Sequence, residues 1–68
     1  MNVIASTENG QGVEYELPAG PAGRRQATKL MKASYDPMYI GERIVAMECT
    51  HWTLSIDCDL VVSTEWHR

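Results

Sequence analysis

What this chain lacks narrows its chemistry quickly. It has no apolar run long enough to cross a membrane, and its opening MNVIASTENGQG carries neither a basic start nor an apolar stretch of signal-peptide length. A cytoplasmic, membrane-free protein is expected. Cysteine is scarce: Cys49 and Cys58 are the only two, whereas small secreted scaffolds usually carry four or more at framework spacings. Both are read as free thiols in a reducing compartment. Internal repeats and low-complexity segments are missing, and residues 19–35 contain no carboxylate although the protein as a whole has net charge −3.

A chain of 68 residues makes one domain with a single thin core, so residues 1–68 are read as one unit that would gain from a partner or a second copy. Hydrophobic residues at 44% in a strongly periodic pattern argue for a folded state. The charge is sorted along the chain. Residues 1–18 carry only acids, residues 19–35 only bases, and residues 36–68 mostly acids, which predicts two surfaces of opposite sign.

NVIAST and GVEYEL are β-prone runs joined by ENGQ, and Asn-Gly between such runs is a strong hairpin signal. In the second run Val13, Tyr15 and Leu17 alternate with Glu14 and Glu16. A loop of two residues or of three would turn either Ile4, or Val3 and Ala5, toward the Tyr15 side, and the sequence leaves both open. Pro18 and Gly20 break the strand, Pro21 suits a first helical turn, and the Asp36-Pro37 pair ends the helix, which is expected over residues 21–34. At 100° per residue Gly23, Ala27, Leu30, Ala33 and Ser34 share the inner side with Met31 at its edge, while Arg25, Lys29 and Lys32 share the outer side, flanked by Arg24 and Thr28.

ERIVAMEC and LSIDCDLVVS read as a closing hairpin, with Leu54, Ile56, Cys58, Leu60 and Val62 expected on one face of the last strand and Ser55, Asp57, Asp59 and Ser63 on the other. With the turn centred on His51 and Trp52, Cys49 faces Leu54, Met47 faces Ile56 and Val45 faces Cys58, so every pair is apolar on one side. That register separates Cys49 from Cys58 by roughly 13 Å at strand rise, too far for a disulfide. The predicted architecture is ββαββ, a two-layer α+β sandwich with a four-stranded antiparallel sheet and one helix on its apolar face. Its uncovered face would show Glu14, Glu16, Glu42, Glu48, Asp57 and Asp59.

Residues able to do covalent or metal chemistry are few and poorly spaced. Cys49 and His51, two positions apart on a strand end, read as a core cysteine and an exposed turn histidine, not as a nucleophile with its base. Cys49, His51, Cys58 and His67 match no paired-ligand zinc spacing. Asp57 and Asp59 sit on a solvated strand face with no apolar pocket to raise either pKa. PAGPAGRR enters a helix N-terminus but fits neither the phosphate-loop nor the dinucleotide pattern. No catalytic residue, metal site or cofactor is predicted, and the protein is read as a non-enzyme.

A binding role is the remaining class. Arg24, Arg25, Lys29 and Lys32 are expected to form one partner-binding surface, with Glu48, Asp57 and Asp59 forming a second; Trp52, at a hairpin tip, either folds back to cap the core or serves as an apolar anchor. Tyr35 and Tyr39, in the loop after the helix, are ambiguous between core cap and contact. Direct nucleic-acid binding is a weaker reading, since four bases without interleaved aromatics in an acidic chain make a poor footprint. Self-association into a homodimer or larger oligomer is a third reading.

The layout carried by VEYELP, AGRRQATKLMKAS, ERIVAMEC and LSIDCDLVVS resembles small phage-encoded inhibitor proteins, among them anti-CRISPR proteins acting on type I surveillance complexes and inhibitors of host RNA polymerase. The resemblance covers most of the chain as a pattern, with no shared motif. It implies a non-enzymatic protein in the host cytoplasm that binds a host protein or nucleoprotein complex and blocks nucleic-acid access. Dodecins are similar in length and helix-on-sheet plan, which gives a self-assembling oligomer as the alternative, although their flavin-stacking tryptophan segment has no counterpart here.

Overall fold

The computed structural model of the chain describes residues 1–57 and 60–65. In chain order the elements are β1 (Asn2–Thr7), β2 (Gly12–Glu16), α1 (Pro21–Ser34), β3 (Ile44–Glu48), β4 (Trp52–Asp57) and β5 (Leu60–Glu65). The strands form one antiparallel sheet ordered β2-β1-β3-β4-β5, with α1 packed against β3, β4 and β5. This is the expected α+β class. The four-stranded ββαββ expectation is corrected to five strands, because LSIDCDLVVS is broken by a second hairpin that pairs Asp57 with Leu60 and so puts Leu60 and Val62 on the uncovered face, not beside Leu54 and Ile56.

The first hairpin settles the register that the sequence left open. Gly10 N–H donates to the Thr7 carbonyl and Thr7 N–H to the Gln11 carbonyl, both at 2.9 Å, with Gly10 at φ 85°. Glu8, Asn9 and Gly10 are thus a three-residue loop whose last residue needs the left-handed region, which glycine enters without a Cβ penalty. Val3 then pairs with Tyr15 and Ala5 with Val13. Val3 and Ala5 turn inward and are fully buried, and Ile4 turns outward.

Beyond Ser6 the β1–β3 ladder slips: Ser6 pairs with Ala46, but Thr7 pairs with Ile44. Val45 is the extra residue of a bulge, which lets Ile44 and Met47, three positions apart, both reach the core. The β3–β4 turn lies one residue earlier than expected. Cys49 N–H donates to the Trp52 carbonyl at 3.0 Å, so Thr50 and His51 form the turn and Met47, not Cys49, faces Leu54. The shift of two positions keeps Met47 and Leu54 on the core face, which is why the pattern could not reveal it.

The helix has rolled toward its larger apolar residue. Gly23, Ala27, Met31 and Ser34 are buried, Leu30 is half-buried, and Ala33, expected inside, is exposed. Two contacts fix that roll. A Cβ at Gly23 would lie 1.9 Å from the Pro18 carbonyl oxygen, so the first turn sits directly on the Pro18 backbone. At the other end the Ser34 hydroxyl donates to the Met31 carbonyl (2.9 Å) and accepts from the Ile44 N–H (3.1 Å), joining helix end to strand start. The core between these two points comprises Val3, Ala5, Leu17, Ala27, Met31, Ile44, Met47, Trp52 and Leu54.

Candidate partner-binding surfaces

The helix presents its basic residues to solvent. Arg25, Lys29 and Lys32 are exposed on the side away from the sheet, and Arg24 is half-buried beside them. Spacings of four and three put Arg25, Lys29 and Lys32 in one row, where neighbouring like charges repel by a few tenths of a kcal/mol per pair. None of the three has an ion-pair partner among the described residues, where the N-terminal amine with Glu16 (2.5 Å) is the sole salt bridge. The first turn contains no acid, and the N-cap Gly20 offers no side-chain acceptor. Local helix energetics therefore do not explain this charge pattern.

The row leads directly into a loop that displays apolar side chains. After Ser34 the helix closes with Tyr35 N–H on the Lys32 carbonyl and Asp36 N–H on the Ala33 carbonyl, both at 3.2 Å. Asp36 then shapes the next turn: its Oδ1 accepts from Met38 N–H (2.8 Å) and its carbonyl from Tyr39 N–H (2.9 Å). Arg43 returns to donate to the Ser34 carbonyl at 3.2 Å, with its guanidinium 5.4 Å from the centre of the Tyr35 ring. Held between these fixed points, Met38 is 86% and Ile40 98% exposed. Beside the row, Leu30 and Ala33 form a shallow apolar depression with Gln26 and the Lys29 stem. Exposed apolar residues set beside a charged rim are the usual make-up of an interaction surface.

The opposite face of the sheet is acidic at one side only. Glu14 and Glu48 flank Ile4 across β1, with Glu16 one step along β2. Asp57 lies on the same face at the far end of β4, paired with Leu60. Glu42, expected on this face, instead accepts a hydrogen bond from the Asn9 amide and ties the first turn to the start of β3. Asp59 lies outside the described residues.

Trp52 does not stand at a hairpin tip. It is the first residue of β4, 4% exposed and part of the core, because the turn closes one residue earlier than expected. Its indole Nε1 has no hydrogen-bond partner among the described residues. Tyr35 serves as the platform for Arg43, and Tyr39 lies against Gly41, whose added Cβ would come within 3.1 Å of the ring. The apolar contact residues missed by sequence reasoning are Met38 and Ile40. Two hydrophobes between a helix stop and a glycine was the available signal, but nothing in it said that both would point outward.

The reactive side chains are occupied locally. His51 N–H donates to Cys49 Sγ at 3.5 Å while the imidazole Nδ1 lies 2.9 Å from Thr50 Oγ1, so the ring turns to its neighbour and not to the thiol. Cys49 is a free thiol; Cys58 and His67 fall outside the described residues. Among the described residues no cluster of three metal-ligating side chains exists, and no helix is long and apolar enough to cross a membrane.

No family model matches this chain, and no match is found among curated proteins or among solved structures.

Proposed function

We propose that this protein is a non-enzymatic inhibitor or adaptor that binds a cytoplasmic host protein or nucleoprotein complex, with the outer face of α1 and the loop that follows it as the docking surface. Its most concrete form is a phage-encoded inhibitor that binds a type I CRISPR surveillance complex and blocks nucleic-acid access. The observation that carries the reading is the row Arg25, Lys29 and Lys32: three like charges in mutual repulsion, without an ion-pair partner among the described residues, next to the displayed Met38 and Ile40. Solubility alone is better served by alternating signs. An acidic protein surface with an apolar pocket complements this combination of long-range steering and short-range anchor. Glu14, Glu16 and Glu48 would form a second contact on the opposite face.

The test is capture from host lysate with identification of the retained protein, comparing wild type with the triple variant Arg25→Glu, Lys29→Glu, Lys32→Glu. Loss of a reproducible partner in the variant is expected, while unchanged capture would refute the helix surface. A gel-shift series with DNA and RNA at two salt concentrations separates the direct nucleic-acid reading, which requires strong, salt-sensitive retardation by the protein alone.

A further inference from the structure

The outermost strand β5 is an edge whose only charge, Glu65, is its last residue. In the order β2-β1-β3-β4-β5 the sheet has two open sides, and their sequences differ in kind. The β2 edge carries Glu14 and Glu16, so two β2 strands laid side by side would oppose like charges. Residues 60–64 of β5, LVVST, contain no charge, no proline and no glycine. Edge strands of stable monomers usually carry one of those protections.

The backbone directions along that edge follow from two turns. Cys49 and Trp52 are a hydrogen-bonded pair, so the polar groups of Trp52 and Leu54 point toward β3 and those of Thr53, Ser55 and Asp57 toward β5. Their partners Thr64, Val62 and Leu60 therefore spend their N–H and C=O groups on β4. Val61 and Ser63 direct theirs away from the sheet, and the described residues place no strand there to receive them.

We propose that β5 pairs with β5 of a second copy of this chain, antiparallel about Val62, making one continuous sheet across a symmetric dimer. In this register Val61 meets Ser63 of the other copy, so the outward donors and acceptors of both strands satisfy one another. Val62 faces its own counterpart and Leu60 faces Thr64, so over residues 60–64 no charge opposes a charge, and Glu65, the one acid of β5, stands at the strand end beyond that stretch. On the uncovered face Leu60 is 68% and Val62 42% exposed in the single chain, and the non-hydrogen-bonded Val62 pair brings its side chains closest together. A second copy is the favoured occupant because residues 60–64 complement themselves in hydrogen bonding without opposing like charges, and a two-fold contact closes without leading to fibres. The two-fold axis runs perpendicular to the sheet, so both α1 helices lie on one side and their basic rows form a paired surface. Edge pairing alone buries less area than a standard interface, so the dimer is a weak one.

Sedimentation equilibrium of the full chain over a concentration series is expected to show reversible growth from monomer to twice the monomer mass. Val62→Lys, on an exposed position, should weaken association at least tenfold. Ser63→Pro removes only an outward N–H, leaves the β4 ladder intact, and should have the same effect. Amide exchange reads the edge directly: Val61 and Ser63 amides should slow as concentration rises, while Leu60, Val62 and Thr64 stay protected throughout. A chain that remains monomeric at its highest soluble concentration overturns the proposal. So does a dimer indifferent to both substitutions, or growth past the dimer, which would mean β5 pairing with the β2 edge.

Discussion

At the scale of single residues, two positions tie the helix to the sheet and set its roll. Gly23 is unusual because glycine in a helix interior costs roughly 1 kcal/mol relative to alanine, yet here any Cβ would collide with the Pro18 carbonyl. Gly23→Ala is expected to lower stability by about 1–3 kcal/mol despite its better helix propensity, read as a fall in the urea midpoint. A neutral or stabilising result would mean that the helix start does not sit on Pro18. Ser34→Ala tests the other end. Losing the hydroxyl leaves the buried Ile44 N–H without its acceptor, and an orphaned buried donor costs about 1–3 kcal/mol. Ser34→Thr, which keeps the hydroxyl, should recover part of that loss if its added methyl is accommodated.

At the scale of elements, α1 works against itself. Arg25 and Lys29 repel at a spacing of four, and Lys29 and Lys32 at a spacing of three. Replacing Arg25 by Glu converts the first repulsion into a favourable Glu-to-Lys pair, so Arg25→Glu alone is expected to raise stability by about 0.5 kcal/mol while weakening partner capture. A stability gain without loss of capture would show that the row serves solubility only. The same element shows why its register was only partly legible. Spacing placed the basic row on the outside correctly, but the inner face was assigned by counting apolar positions. Met31 at the edge of that face fills more of the core than Ala33 does, and the Pro18 and Ile44 contacts rotate the helix to let it in. Neither contact is visible in the periodicity of the helix itself. The strands show the same limit. The apolar alternation in residues 54–62 is present in the sequence, but the pairing of Asp57 with Leu60 reverses which positions face inward, so Leu60 and Val62, expected beside Leu54 and Ile56, lie on the uncovered face.

At the scale of the whole molecule, the charged surfaces point in opposite directions. The shortest dimension of the molecule is 20 Å, about twice the screening length at 0.1 M salt, so basic row and acidic face do not cancel each other in solution. Partner affinity should therefore fall as ionic strength rises, with the slope reduced in the Arg25, Lys29 and Lys32 variant. The apolar share of the same contact is tested by Ile40→Asp. With Ile40 98% exposed, the fold should tolerate the change within about 0.5 kcal/mol, while capture should drop through faster dissociation. If capture persists unchanged, the loop is not part of the docking surface. Of the surface proposed here, the charges were legible in the sequence and the anchor was not. Trp52 attracted attention by its size, but the closing bond between Cys49 and Trp52 draws it into the core, and the apolar display passes to a loop whose residues look unremarkable in the sequence.

The sequence by itself determined the α+β class, the position and length of the helix and the outward row of basic residues, because each of these follows from short-range periodicity and from proline and glycine punctuation. The tertiary structure alone decided the three-residue first turn, the bulge at Val45, the split of the last segment into β4 and β5, the burial of Trp52, and the outward facing of Leu60 and Val62 on the edge strand. Those features depend on which residues meet across the sheet. A ladder shifted by two positions leaves the pattern along the chain unchanged and alters its partners in space, and the break after Asp57 also turns Leu60 and Val62 to the other face.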